Sequence, residues 1–185
     1  MAPQPLPEPI ETPRLLLRRP RADDAQAIFD AYTQDERVCK YMIWSPHREL
    51  AETERFIAGC GVAWEAGARN AYVLADAGTG RAVGMLEARL QGSTVDIGYV
   101  LAPALWGRGL MTEAIRALTS AALARPQFFR VQASCDVTNT ASARTLEKAG
   151  FVREGRLERH TIHPNLSSEP RPCFMYARVR WQWRA

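Results

Sequence analysis

Residues 97–114 read IGYVLAPALWGRGLMTEA, and this stretch decides how the whole chain is interpreted. The apolar residues up to Leu101 predict a strand, and the helical spacing of apolar residues from Leu110 onward predicts a helix. Between them, Gly107 and Gly109 carry no side chain and let a ligand approach the backbone closely. A helix that begins so soon after a strand offers unpaired N–H groups and a partial positive charge. The stretch therefore predicts a cradle for phosphate groups that is made mostly of backbone.

Two common phosphate-binding loops do not fit this stretch. The chain contains no G-x-x-x-x-G-K-[ST] sequence, which excludes a Walker A loop. The third glycine of the dinucleotide pattern G-x-G-x-x-G is missing, because Thr112 stands at that position. Arg108, between the two glycines, adds a cation to the loop. Since two glycines alone more often mark an ordinary turn, the assignment depends on further motifs.

The rest of the chain follows a mixed α/β layer order of predicted strands and helices. Strands are predicted at residues 15–18, 71–75, 82–91, 94–101, 129–137, 151–162 and 173–183. Helices are predicted from Asp23, from Ser45–Pro46 to about residue 66, and at residues 110–124 and 139–149. We therefore expect one domain over residues 12–185, preceded by a flexible Pro-rich segment at residues 1–11.

The composition is that of an ordinary soluble globular protein. The 185 residues are 46% hydrophobic and 24% charged, which excludes a disordered, collagen-like or disulfide-stapled chain. The four cysteines form no C-x-x-C or zinc-ligand pattern, and His160 and His163 have no third ligand nearby, so no metal is expected. The first 13 residues contain five prolines and no apolar run. We therefore expect a cytoplasmic protein without a signal peptide or membrane anchor.

The net charge of +4 comes almost wholly from arginine, with 22 Arg and only 2 Lys. Residues 130–185 hold 10 basic and 5 acidic residues, so the basic excess lies in the C-terminal third. This excess is compatible with an anionic ligand, and equally with scattered solvated arginines. A nucleic-acid-binding function ranks last among the hypotheses, because the chain has no recognised nucleic-acid motif and almost no lysine.

The quoted stretch resembles the coenzyme A loop of the GNAT superfamily of acetyl-CoA-dependent N-acetyltransferases, whose pattern is Gln/Arg-x-x-Gly-x-Gly/Ala. In this chain Trp106 stands at the first position of the pattern and Met111 at the last. The longer string IGY-x-L-x-P-x-x-W-G-x-G-x-x-T-E-A is similar to the Rim-type branch, named for ribosomal-protein N-terminal acetyltransferases, in which Trp is common at this position. Met111 is then the one unusual residue. Its side chain is expected to crowd the diphosphate, although its backbone N–H remains available.

Further segments resemble the family in the family's own order. Residues 139–151 resemble its N-x-x-S…E-K-x-G-F signature, and the opening ETPRLLLRRPRADDA and the WSP at residues 44–46 resemble the Rim-type branch. The resemblance covers about residues 10–183. It implies an α/β fold of the GNAT type, with a central mixed, mostly antiparallel sheet of about seven strands flanked by helices. It also implies acetyl-CoA as the co-substrate and no metal. The residues that the resemblance implies for binding acetyl-CoA are Tyr99, Val100, Leu101, Trp106, Gly107, Arg108, Gly109, Leu110, Met111, Thr112, Asn139, Ser142 and Arg144.

The superfamily implies direct attack of an amine on the acetyl thioester within a ternary complex. A backbone N–H near Tyr99–Leu101 is the expected hydrogen-bond donor to the oxyanion. Many relatives have a tyrosine that acts as the general acid where this chain has Leu146. Ser142 is therefore expected to be the acid that protonates the leaving thiolate, as in the Rim-type branch. The candidates for the base are Asp96, Glu87 and His160, with a chain of water molecules as the alternative.

The expected acceptor is a primary amine, either a protein N-terminus or a small molecule such as an amino acid or an antibiotic. Residues 35–60 and 163–172 are expected to build its pocket, with Tyr41 and Trp44 as candidate lining residues. The alternative function is a module that binds coenzyme A or acyl-CoA without transferring the acyl group, because no base is evident. We expect a monomer or homodimer with no nucleic-acid or membrane partner.

Overall fold

The computed structural model describes residues 5–67 and 69–180, and these residues form one sheet flanked by helices. Its strands are β1 (Ile10–Glu11), β2 (Leu15–Arg18), β3 (Arg69–Asp76), β4 (Ala82–Gln91), β5 (Thr94–Leu101), β6 (Arg130–Asp136), β7 (Val152–Thr161) and β8 (Arg171–Val179). The helices are α1 (Asp24–Ile28), α2 (Glu36–Cys39), α3 (Leu50–Glu65), α4 (Leu110–Leu123) and α5 (Thr140–Lys148). None of the described helices is both long and apolar enough to cross a lipid bilayer.

The strand order in the sheet is β1-β2-β3-β4-β5-β6-β8-β7. Every neighbouring pair is antiparallel except β5 and β6, which run parallel. A parallel pair requires a crossover connection, and here α4 provides it between β5 and β6. The predicted α/β fold with a mixed, mostly antiparallel sheet is confirmed.

Both faces of the sheet are covered by helices, because the strands alternate the direction of their side chains. On one face, Val95, Ile97 and Leu101 of β5 pack in one core with residues of α4 and α5 such as Leu118 and Leu146. On the other face, a second core joins residues of β3 and β4 to α1 and α3. The α4 and α5 face is the one that carries the residues of the predicted phosphate cradle.

The sheet has one strand more than the seven predicted from the sequence. The additional strand, β1, lies within the segment that was expected to be a flexible lead-in. Leu6 in that segment is buried, and the Tyr72 hydroxyl donates a hydrogen bond of 2.9 Å to the Pro7 carbonyl. Apolar burial and an edge pairing therefore attach residues 6–11 of this Pro-rich segment to the domain. At the other end of the chain, the predicted strand over residues 173–183 ends at Val179, and residues 181–183 lie outside the described part.

The second predicted helix begins later than its proline signal suggested. It was expected from Ser45–Pro46, but α3 begins at Leu50. The intervening backbone is held by tertiary and local bonds instead, since the His47 N–H donates to the Thr33 carbonyl at 2.9 Å and the Arg48 N–H donates to the Glu52 carboxylate at 2.7 Å. Residues between α2 and α3 thus form a connection that can contribute to a binding site.

A buried ion pair fastens β2 to α1. The Arg18 guanidinium donates to both carboxylate oxygens of Asp24, at 2.8 and 2.7 Å, and the two side chains are only 8% and 6% exposed. The Arg21 N–H adds a third bond to Asp24 at 2.7 Å. Burial alone would raise the pKa of Asp24, but these hydrogen bonds outweigh it and lower the pKa.

Breaking this pair is expected to destabilise the protein strongly. Asp24→Asn leaves the Arg18 guanidinium buried without a counter-charge, which costs about 3 kcal/mol of unfolding free energy. Urea unfolding measures the loss. Asp35→Asn is the matched control, because Asp35 is likewise paired with an arginine, Arg37. The Arg37 guanidinium is 71% exposed, so water can solvate it when the pair is broken. Similar losses in the two variants would contradict the importance of burial.

Candidate active site

The sheet opens between β5 and β6. These parallel strands pair only over Thr94–Asp96 and Arg130–Gln132 within the described residues. Beyond that point β5 continues to Leu101 and remains paired with β4, while β6 continues beside β8 to Asp136. The C-terminal halves of the two strands therefore diverge. We call the resulting gap the split.

The peptide groups of β5 alternate between β4 and the split. Ala102 N–H donates to the Val83 carbonyl of the β4 side at 2.9 Å, so the even-numbered residues, including Val100, direct their peptide groups toward β4. The odd-numbered residues Tyr99 and Leu101 therefore direct theirs into the split. The Trp106 indole donates to the Leu101 carbonyl at 2.8 Å, and it leaves the two N–H groups of Tyr99 and Leu101 facing the opening.

The loop after β5 ends in a helix N-terminus that is open to a ligand. Gly107 and Gly109 both have φ of +76°, a left-handed conformation that other residues adopt only with strain. Gly109 is the N-cap of α4 and supplies no capping side chain. The first helical bond from this turn runs from the Glu113 N–H to the Gly109 carbonyl at 3.0 Å. By helical geometry, the N–H groups of residues 110–112 have no partner within the helix and can bind an anion.

Met111 does not crowd this loop, contrary to the expectation from the sequence. Its side chain is only 7% exposed and belongs to the core under α4, as does that of Leu110. The reason is the helical period, which places residue 111 on the same face as Ala114, Ile115 and Leu118. Met111 therefore presents its backbone N–H to the loop and its side chain to the core.

Glu113 ties this loop to the turn between β1 and β2. One carboxylate oxygen accepts from the Thr12 hydroxyl at 2.7 Å and from the Arg14 N–H at 3.0 Å, and the other accepts from Arg14 Nε at 2.7 Å. Arg14 Nη1 then donates to the Arg108 carbonyl in the loop at 2.9 Å. Burial alone would raise the pKa of Glu113, but the bonds from Thr12 and Arg14 lower it on balance. The helix N-terminus thus carries a carboxylate whose charge is matched by Arg14.

A cavity of about 660 Å³ adjoins this network along the outer surface of α4. Its polar lining includes Thr112, Arg116 and Lys148 beside Arg14. Arg116 also donates to the carbonyl of Lys148 at the end of α5. The lining also contains the carboxylates of Glu11 and Glu113, and Arg14 is paired with Glu113, so the groove has only a small excess of positive charge beside the helix N-terminus.

At the start of α5, Asn139 and Ser142 lie close to the side chain of Tyr99 on β5. Asn139 caps α5, since its side-chain oxygen accepts from the Ser142 N–H at 3.1 Å. The Ser142 hydroxyl lies 2.7 Å from the Tyr99 hydroxyl. Leu146, one turn further along α5, is fully buried in the core, and Arg144 is exposed. The structure therefore brings the expected acid next to a phenol that the sequence had indicated only for its backbone.

Two of the three candidate bases, Asp96 and Glu87, lie on the opposite face of the sheet from Ser142. Arg89 donates to Asp96 at 3.0 Å and to Glu87 at 2.9 Å, so one guanidinium holds both carboxylates. Gln132 also donates to Asp96, at 3.3 Å. His160 is exposed on the edge strand β7. Alternation along β4 and β5 separates Glu87 and Asp96 from the Tyr99 face, so the structure does not bring these two carboxylates together with Ser142.

Sequence reasoning missed a buried carboxylate at the end of β6. Asp136 accepts from Arg171 Nε at 2.6 Å, from the Thr138 N–H at 2.8 Å and from the Thr138 hydroxyl at 2.6 Å, and its side chain is fully buried. Burial alone would raise the pKa of Asp136, but these bonds lower it to about 2. An Asp followed two residues later by Thr is a turn signal that indicates this local bond, whereas Arg171 is too distant in sequence to be found. Asp136 thus fixes the turn that leads to Asn139.

Two connections close over this end of the sheet. Asn165, in the β7–β8 loop, donates to the Cys39 and Trp44 carbonyls at 2.6 and 2.8 Å. The Tyr41 hydroxyl, in the α2–α3 connection, donates to the Thr138 carbonyl at 3.2 Å. The two segments expected to form the acceptor pocket are therefore joined to each other and to the β6–α5 turn.

Within residues 5–67 and 69–180, no group of three or more His, Cys, Asp or Glu side chains is placed to hold a metal ion. His163 is buried and His160 is exposed. Burial lowers the pKa of His163, so this imidazole is neutral inside the fold.

Comparison with known proteins gives one consistent answer. The family model described as an acetyltransferase (GNAT) domain matches residues 14–152. Over 159 residues the chain is 30% identical to the uncharacterised N-acetyltransferase YoaA of Bacillus subtilis (strain 168), which covers 82% of this chain and 86% of that relative. The crystal structure of a GNAT-family acetyltransferase from Bacillus anthracis has a TM-score of 0.79 at 26% identity, covering 92% of this chain and 97% of that one. RimL, a ribosomal L7/L12 α-N-protein acetyltransferase solved with coenzyme A, has a TM-score of 0.82 at 22% identity, covering 93% of this chain and 98% of that one.

Arg14 is expected to strengthen phosphate binding by neutralising Glu113. In Arg14→Met the Glu113 carboxylate stays in the first turn of α4 and repels the diphosphate, so the Kd for coenzyme A is expected to rise about three- to tenfold. Glu113→Gln in the same background removes the repulsion and restores most of the affinity. Calorimetric titration at low salt measures both changes, and high salt is expected to reduce them.

Pantetheine is the matched control ligand for this pair, because it lacks the diphosphate and the nucleotide. Its affinity is expected to be the same in the wild type and in both variants. If the single and double variants lose coenzyme A affinity equally, the two residues hold the loop in shape and the charge argument is wrong.

Asp136 is expected to make folding stability sensitive to acid. Its pKa is about 2 in the folded protein and near the ordinary 3.8 in the unfolded chain. Its contribution is therefore complete above the unfolded value and is lost as the pH falls toward the folded value, a change of about 2 kcal/mol. Urea unfolding at a series of pH values measures this dependence. Asp136→Asn is expected to be less stable at neutral pH and to have a flatter acid dependence, and an unchanged slope would count against the assignment.

Proposed function

The chain belongs to the GNAT family of acetyltransferases and transfers an acetyl group from acetyl-CoA to an amine, and we propose that the split between β5 and β6 is where it does so. The observation that carries this proposal is the unpaired end of β5 leading directly into the open N-terminus of α4. A strand edge and a helix N-terminus in series suit a ligand that has an amide-containing arm and a diphosphate.

The residues around the split fit the parts of acetyl-CoA. The N–H groups of residues 110–112 and the left-handed Gly107 and Gly109 would hold the diphosphate. The peptide groups of Tyr99 would pair with the pantetheine arm in place of the missing strand. Arg108 and Arg144, both exposed near these elements, would add positive charge toward the phosphates.

The transfer needs few protein groups. The Leu101 N–H faces the split and is our choice for the donor to the oxyanion that forms when the amine attacks the thioester carbon. The Ser142 hydroxyl donates a hydrogen bond to the leaving thiolate of coenzyme A as the carbon–sulfur bond breaks. Asn139 supports this step by capping α5 and fixing the position of Ser142. Holding the two substrates together supplies much of the remaining rate.

A chain of water molecules is our choice for carrying the proton from the attacking amine to bulk solvent. Asp96 and Glu87 share the Arg89 guanidinium, and Glu87 also lies 3.5 Å from Arg69. These contacts already occupy both carboxylates on the face of the sheet opposite Ser142, which leaves neither of them directed at the proposed position of the amine. Both residues are assigned to the ion-pair network that keeps the open face of the sheet polar.

The acceptor we favour is the N-terminal amine of a polypeptide. The face of β5, β6 and β8 opposite α4 leaves Ser134 exposed and Gly98 and Met175 partly exposed, so it can receive an extended chain. The joined loops around Tyr41 and Asn165 border the end of this surface. RimL, whose fold this chain shares, is described as acting on a ribosomal protein N-terminus. A small amine would use only the part next to the split.

The setting we propose is a cytoplasmic enzyme that acts as a monomer or homodimer. All four cysteines are free thiols and buried, which is compatible with a reducing compartment. The catalytic unit we propose is the single domain of residues 12–185, to which residues 6–11 add packing and an edge strand.

A thiol-release assay tests this function. Acetyl-CoA is expected to raise the melting temperature, because it binds only the folded protein, and free coenzyme A thiol is expected to appear only when an acceptor is added. The acceptors to compare are peptides with different N-terminal residues, free amino acids and aminoglycosides. Turnover with peptides but not with single amino acids supports the proposed acceptor. Stabilisation without thiol release from any acceptor would indicate a module that binds coenzyme A without transfer.

A further inference from the structure

The side chains of Tyr99 and Ser142 form a pair beside the split, and this pair bears on the role of Tyr99 as well as on that of Ser142. The Tyr99 hydroxyl lies 2.7 Å from Ser142 Oγ and 3.4 Å from the Ser142 carbonyl oxygen. The shorter contact has good geometry for a hydrogen bond between hydroxyls, and the longer one is weak. The two residues come from different elements, β5 and α5, that border the split on the same face of the sheet.

Either hydroxyl can donate in this contact, and the chemistry of the two groups favours the phenol as the donor. A phenol is a stronger acid than an aliphatic alcohol, and the more acidic hydroxyl is the better donor. Burial raises the pKa of Tyr99, and the bond to Ser142 offsets this only in part, so the phenol keeps its proton at any working pH. Tyr99 is therefore a fixed donor and takes no part in proton transfer itself.

Donation from Tyr99 occupies one position around Ser142 Oγ and so limits the directions in which the serine hydrogen can point. A serine in a helix otherwise tends to donate back to a carbonyl of the preceding turn. Cys135 on β6 also lies beside this hydroxyl, and burial raises its pKa to about 11, so it remains a neutral thiol and a weak acceptor. With one lone pair of Ser142 Oγ occupied by Tyr99, the hydroxyl hydrogen is free to point into the split.

We propose that Tyr99 is a positioning residue for acetyl transfer, which donates to Ser142 Oγ and thereby directs the Ser142 hydrogen toward the leaving thiolate of coenzyme A. This inference rests on the proposed function and adds a residue to it. Donation to Ser142 also polarises its O–H group, so that it becomes a better donor in turn. A phenol from β5 thus assists the serine of α5, and Leu146, one turn further along α5, is buried in the core and offers no hydroxyl.

The test compares turnover in variants that remove one hydroxyl each. Tyr99→Phe is expected to lower kcat about tenfold, which corresponds to the loss of one hydrogen bond, and to leave KM for acetyl-CoA unchanged. The double variant with Ser142→Ala is expected to be no slower than Ser142→Ala alone, because Tyr99 acts through Ser142. Tyr176→Phe is the matched control: this buried phenol bonds to Glu147 at 3.1 Å, and its loss is expected to leave kcat unchanged.

Three outcomes would overturn the inference. They are wild-type kcat in Tyr99→Phe, losses that multiply in the double variant, and a rise in KM for acetyl-CoA with kcat intact. If Tyr99→Phe folds poorly, 3-fluorotyrosine at position 99 replaces it, since this residue keeps the ring and the donor. Wild-type kcat in that variant supports the inference, and a tenfold loss contradicts it. Failure of the proposed function is seen separately, as absence of coenzyme A uptake by the wild-type protein in calorimetry.

Discussion

The position of the proposed site depends on where the pairing between β5 and β6 ends. Up to Asp96 the two strands share hydrogen bonds, and beyond it β5 keeps only its β4 partner. Buried backbone groups normally require partners, so an unpaired strand end inside a domain indicates a place for a ligand that supplies them. The crossover helix α4 must begin near the same place, because it connects these two parallel strands. A strand edge and a helix N-terminus are thereby placed next to each other by topology alone.

Charge at this helix N-terminus is balanced by residues from the start of the chain. Glu113 stabilises α4, since a carboxylate in the first turn interacts favourably with the helix dipole. The same carboxylate would repel an anionic ligand if it stood alone. Arg14 resolves this conflict, and its further bond to the Arg108 carbonyl supports the loop. The β1–β2 turn therefore supports the loop that we propose as the phosphate site, although it lies far from that loop in sequence.

Features encoded by neighbouring residues could be predicted from the sequence, and contacts between distant residues could not. The glycine loop, α4 and the meander β3–β5 follow from local periodicity and turn residues, and their predicted bounds agree closely with the structure. The start of α3 was missed because a tertiary bond to Thr33 competes with the proline signal. The pairs Arg14–Glu113, Tyr99–Ser142 and Asp136–Arg171 join separate elements, so a single sequence contains no signal for them. The family pattern alone contains no indication that the side chain of Met111 lies on the buried face of α4.

The buried side chain of Met111 anchors the first turn of α4 to the hydrophobic core. Where the family pattern has a small residue, this chain inserts a thioether into the hydrophobic interior, while the amide of the same residue belongs to the open first turn of α4, which we propose as the phosphate site. One residue therefore connects ligand contact and interior packing rigidly, with no flexible segment between them. A substitution that reshaped the interior near α4 would tilt the amides as well, so acyl-donor affinity and thermal resistance are expected to vary together across natural variants of this chain.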